Sequence, residues 1–230
     1  MSIFKVLLYI HIACGALSLL LGLFILLTKK GNSIHKKIGN IYFYSMLTAA
    51  LISFPMTYLH PNYFLFITGV FTSYLLLTGK RNLKKKEVSD VQKIDWALTI
   101  MMLIFGIAFI SFGIYRLTQT NYFGIVFLVF GSISMFFVWQ DKRNFTGKSR
   151  YKNYWLTTHI QRMVASYIAT VTAFLVVNNK ILPDTIAWLL PTFLLAPLII
   201  KWMIKYHIKA VDSQQNGICH LYCFRCARTL

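Results

Sequence analysis

Long apolar runs separated by short polar connections fill most of the chain. Seven of them approach or reach the roughly 20 residues that a helix needs to cross a bilayer. They are Val6–Thr28, Ile38–Leu59, Tyr63–Thr78, Ile94–Leu117, Tyr122–Trp139, Tyr154–Val177 and Pro183–Ile204, the third and fifth being short. The pattern predicts an all-α polytopic membrane bundle of seven helices. No uncharged polar linker interrupts it, so residues 1–210 read as one membrane domain, followed by a loose tail over 211–230. The first run is too long for the apolar core of a cleavable signal and lacks a small-residue cleavage site, so it reads as a retained span.

Composition agrees. Hydrophobic residues make up 57% of the chain and charged residues 13%, about half the charged share of a soluble domain. That is too little polar surface to face water, and the lipid bilayer is the expected solvent.

The charge then orients the bundle. Eighteen lysines and arginines fall in the connections after spans one, three, five and seven. Lys5, Arg116 and Lys180 are the three on the other side. Basic residues accumulate in cytoplasmic loops, so the expected topology is N-terminus out and C-terminus in. Tyr9, Tyr63, Tyr122, Trp96, Trp139 and Trp202 near the span ends fit interfacial belts. The turns at the lysine-poor side, such as His60-Pro61-Asn62, are tight and leave little room for an external ligand-binding domain. The net charge of +18 also raises nucleic acid as a partner. The clusters are interrupted by spans rather than laid along one soluble face, which excludes that class.

An ionisable group inside a bilayer is costly and marks a candidate site. On span six, His159, Arg162, Ser166 and Thr170 recur at i, i+3, i+7 and i+11, which puts them on one helical face that should turn into the bundle. Span one carries His11, Gly15, Ser18 and Gly22 on a comparable face, and span two opens with His35, Gly39 and Tyr42. His35, Asp95, His159 and Arg162 share the cytoplasmic half, whereas His11 and His60 belong to the outer half. Imidazole is a good axial ligand for haem iron, and helical bundles seat cofactors between facing helices. The expectation is a b-type haem clamped by His35 and His159, with Arg162 pairing a propionate and His11 as a further cofactor-site residue. The bland reading is equally concrete. His35 is then an interfacial residue among lysines, His159 and His11 are helix-packing groups, and Arg162 reaches toward headgroups.

In the tail, Cys219, His220, Cys223 and Cys226 place four soft ligands within eight residues, a zinc-type spacing. Palmitoylation of a cysteine close to the membrane is the competing use. A cytoplasmic tail is not expected to hold disulfides.

Three segments together, His11-x3-Gly15, Lys30-Gly31-x3-His35-x3-Gly39-x2-Tyr42 and His159-x2-Arg162-Met163, resemble a family of bacterial multi-pass membrane proteins defined as a domain of unknown function. The resemblance covers roughly the first 180 residues. It implies a multi-pass protein of the bacterial cytoplasmic membrane, with His11, His35 and His159 as positions to test, and it supplies no activity. Cytochrome b561-type proteins carry paired histidines on the same helix, and no span here carries two.

Three functions remain open. One is a haem protein exchanging electrons with a quinone or a membrane protein partner. Another is a transporter of a small solute or ion, with the face His159, Arg162, Ser166 and Thr170, together with Asp95, lining its path. The third is a non-catalytic membrane subunit or scaffold. No phosphate loop, metalloprotease motif or nucleophile–base pair points to hydrolytic or transfer chemistry.

Overall fold

The computed structural model describes residues 2–182 and 184–208. These residues form seven long helices: α1 (Ile3–Leu27), α2 (Ser33–Leu59), α3 (Tyr63–Asn82), α4 (Lys93–Thr118), α5 (Gly124–Phe145), α6 (Tyr154–Asn178) and α7 (Asp184–Tyr206). All seven are long and apolar enough to cross a membrane, the architecture of a multi-pass membrane protein. Residues 209–230, including Cys219, His220, Cys223 and Cys226, lie outside the described residues.

Burial is distributed as lipid solvation demands. Arg162, Asp141, Asp95 and Lys85 are at most 2% exposed, whereas Leu20, Val177 and Phe193 are at least 70% exposed. In water this arrangement would bury charge and expose oil, the reverse of a soluble core. In a bilayer the apolar faces are already solvated, and the interior is where polar groups find partners.

Three antiparallel hairpins, α1–α2, α4–α5 and α6–α7, pack around α3, which also contacts α2 and α6. In α3, 67% of the apolar stretch is buried, against 11% in α1. The α4–α5 hairpin closes on glycines: a Cβ on Gly113 would lie 2.9 Å from the carbonyl oxygen of Gly124, and one on Gly131 would lie 3.0 Å from that of Gly106. Small residues at a seam let membrane helices approach backbone to backbone. Helix starts are set by side chains: Asn32 and Asn62 accept hydrogen bonds from the backbone N–H of His35 and Leu65, satisfying donors with no partner inside the helix.

Three helices outrun the spans expected from hydropathy. α2 begins at Ser33 rather than Ile38, α3 continues to Asn82 rather than Thr78, and α5 runs to Phe145 rather than Trp139. The extra turns are polar, and hydropathy ends a span where polarity begins. Some of their buried polar groups are partnered across the bundle. Asp141 takes Arg162, and the Asn144 side chain donates to Thr158 Oγ1 at 3.1 Å.

Candidate functional site

A cavity of ≈ 630 Å³ opens at the lysine-rich end of the bundle, between α1, α2, α6 and α7 and beside the end of α3. Its wall is mostly apolar and aromatic, with Tyr42, Phe43, Trp155, Tyr167 and Trp202. His35 from α2 and His159 from α6 both line it, as do Lys30, Lys36 and Lys80. The two histidines that share a depth in the sequence therefore also share one space.

The α1–α2 turn delivers His35. Gly31 adopts φ 82°, a left-handed conformation that glycine reaches without a steric penalty. The Lys30 ammonium donates to the carbonyls of Ile25 and Leu26 at 2.7 Å and of Thr28 at 2.9 Å. It thereby satisfies the free carbonyl end of α1, and it lies over the Trp202 ring at 4.4 Å. Its partial burial lowers its pKa from the ordinary lysine value. Asn32 then caps α2, and His35 sits in that first turn. One turn further, Gly39 lines the cavity, and a Cβ built there meets nothing within 4 Å. The glycine leaves open the space beside His35 that a side chain would otherwise occupy.

His159 is held from behind. Its Nδ1 lies 2.9 Å from the Gly79 carbonyl oxygen. A carbonyl can only accept, so the imidazole carries its hydrogen on Nδ1 and Nε2 keeps a lone pair. This backbone bond is the arrangement that orients metal-ligating histidines and fixes their tautomer. The close approach depends on Gly79, where a Cβ would come within 3.0 Å of Arg162 Cβ and 3.1 Å of Met163 Sδ. His35 Nδ1 is buried without a hydrogen-bond partner.

The other sequence candidates go elsewhere. Arg162 does not line this cavity. Its guanidinium turns toward α3 and α5, where Nη2 bonds Asp141 Oδ1 at 2.9 Å and the Phe137 carbonyl at 3.1 Å. The rings of Phe137 and Tyr74 lie 3.9 and 4.9 Å from it. The second Asp141 oxygen accepts from Tyr74 Oη at 2.5 Å and from Thr99 Oγ1 at 3.3 Å. The expected propionate partner is thus committed to an internal carboxylate, because a guanidinium at this depth needs a counter-charge that α5 supplies. His11 also lies away from the pair. Its Nδ1 donates to the Ala49 carbonyl at 3.0 Å and ties α1 to α2.

Ser166 meets the Tyr42 hydroxyl at 2.9 Å, and Thr170 donates to its own helix at the Ser166 carbonyl. The expected polar face of α6 therefore divides among α2, α3 and α5 and lines no common path, because each group finds its own partner. Asp95 forms a separate cluster at the mouth of α4 with Arg81 (2.7 Å) and Lys85 (3.1 Å).

Asp141, Tyr74 and Gly79 are the site residues that sequence reasoning missed. Asp141 stands in Gln140-Asp141-Lys142-Arg143 and reads as loop. Its signal was the spacing of buried α5 positions, Phe127, Gly131, Ser134, Phe137 and Asp141, which continues the inward face one turn past Phe137.

A second cavity of ≈ 830 Å³ lies across α6, between α5 and α7, with Phe71, Phe130, Phe137 and Trp188 in its wall. Its wall is largely apolar, and none of its lining residues is ionisable at neutral pH. No protein-family model, no curated protein and no solved structure matches this chain.

Proposed function

We propose that this membrane protein seats one b-type haem in the cavity at its lysine-rich end, held by His35 and His159, and carries single electrons between membrane partners. The supporting observation is that imidazoles from two different helices line one cavity and each retains a free nitrogen. The cavity volume falls within the range of small-molecule and cofactor sites, about 300–1,000 Å³.

The wall suits such a ligand. Trp155, Trp202 and Tyr42 offer flat apolar contact, and Gly39 leaves room beside one imidazole. Lys36 and Lys80 at the rim supply cations for carboxylates, the role that Arg162 does not take. Held by two imidazoles, such a haem would supply one-electron transfer rather than binding of oxygen or substrate. A quinol donor would release two electrons singly, together with two protons. The positive-inside bias puts this end in the cytoplasm.

The test is a reduced-minus-oxidised visible spectrum of detergent-purified protein expressed with haem supply, beside His35→Ala and His159→Ala. The expected outcome is a b-type difference band that both substitutions abolish. A wild-type protein without a Soret band overturns the reading. If that colourless protein retained a phospholipid, the same cavity and lysines would belong to an anionic headgroup instead.

A further inference from the structure

We infer that the sealed Arg162–Asp141 pair sets the reduction potential of the haem seated on His159. This inference rests on the haem reading of the preceding subsection and names the residues that tune that site.

Arg162 follows His159 by three residues on α6, so the two side chains start from adjacent turns about 5–6 Å apart. They then diverge, His159 toward the cavity and Arg162 toward α5. Both charges of the pair are sealed: the Arg162 side chain is 0% exposed and that of Asp141 1%. Salt screens exposed charges over about 8–10 Å at physiological ionic strength, and buried ones much less. Lys36 at the rim is exposed, and its field is damped. The field of the buried pair is not.

The pair is balanced. Asp141 Oδ1 receives Arg162, and Oδ2 receives Tyr74 and Thr99. The carboxylate is fixed from three helices and its charge is offset by one guanidinium. A haem gains one negative charge on reduction, so its potential reads any uncompensated charge nearby. With the pair intact, the net contribution at the iron is small. Loss of one member exposes the site to a whole unit charge across roughly one helix diameter. At an effective dielectric of about 20, that changes the reduced-to-oxidised ratio by on the order of tenfold.

The signs are opposite, which separates this role from packing. Asp141→Asn leaves the guanidinium uncompensated, favours the electron-rich ferrous state and raises the potential. Arg162→Gln leaves the carboxylate and lowers it. Tyr74→Phe keeps both charges and removes one hydroxyl donor from the carboxylate, so it lowers the potential by less. This third variant carries the test should either charge variant fail to fold.

The experiment is a potentiometric titration of the full-length, haem-loaded protein and these variants, followed by the visible spectrum. The inference holds if Asp141→Asn moves the midpoint up and Arg162→Gln moves it down, with Tyr74→Phe shifted slightly down. It fails if coloured variants keep the wild-type midpoint, or if both charge variants move it in the same direction. A colourless wild type instead removes the haem reading itself, a different and earlier failure.

Discussion

His159 and Arg162 stand one turn apart on α6 and meet opposite fates. The imidazole is anchored at one nitrogen and faces an aromatic cavity with the other. The guanidinium is closed in by a carboxylate, a carbonyl and two rings. Inside a membrane, both groups need partners, since an unpaired polar group is expensive in hydrocarbon. Where the protein supplies a counter-charge, as α5 does for Arg162, the residue organises the bundle. Where one nitrogen keeps a lone pair beside a cavity, as at His159, the residue can still take a ligand. Intramembrane polarity is thus a poor guide to chemistry until its partners are known.

The largest effect should come from breaking the sealed side. Asp141→Ala strands the Arg162 charge, and loss of one member of a buried pair costs about 3–5 kcal/mol. A sharp loss of folded protein in a detergent thermal-aggregation assay is the expected result. Asp141→Leu combined with Arg162→Leu should recover much of that loss, because no charge is then stranded. If the double variant is as unstable as Asp141→Ala, the pair matters for more than charge compensation.

Next in size is Gly79→Ala. The new methyl presses on Arg162 Cβ and Met163 Sδ and parts α3 from α6, an overpacking cost of about 1–3 kcal/mol. It should also weaken the hold of Gly79 on His159 and broaden the haem spectrum. His11→Ala removes one bond to the Ala49 carbonyl, worth about 1 kcal/mol, and should leave the spectrum unchanged. A spectral change in that variant would return His11 to the site. Gly39→Leu fills open space, so its melting temperature should stay at the wild-type value or rise slightly, while haem content falls to background. Those two variants make the sharpest contrast between the open and the structural side.

The smallest effect concerns Lys85, in the α3–α4 connection. Burial lowers its pKa from the ordinary value of 10.5, against the opposing pull of Asp95. Between the lowered folded value and 10.5, the unfolded chain therefore holds more protons than the folded one, and stability rises with pH. Below that window the cost of burying the ammonium is carried in full. Melting temperatures of wild type and Lys85→Met across the alkaline range should show a rise in the first that is missing from the second.

Much of this was legible in the chain. Seven apolar runs gave seven helices, because the length needed to cross hydrocarbon leaves little choice. The common depth of His35 and His159 was also legible, since both lie a similar distance from lysine-rich connections. The destination of Arg162 was not. Its helical face could be counted, but the helical period gives the direction of a side chain and not the neighbour that it meets. Asp141 was hidden by its charged surroundings, which ended the span in hydropathy while α5 continued for another turn and a half. The same limit divided the expected stripe on α6, where Ser166 went to α2, Arg162 to α5 and His159 to the backbone of α3.

By itself, the sequence determined the solvent of this protein, its helix count and the end of the bundle that gathers the basic residues. These follow from apolar length and from the placement of lysine, both local properties of the chain. Tertiary structure alone decided which polar groups are satisfied and which are left open. That choice depends on which helices lie side by side, and helix order arises from close approach at glycines and from buried charge pairing, contacts between residues far apart in the chain.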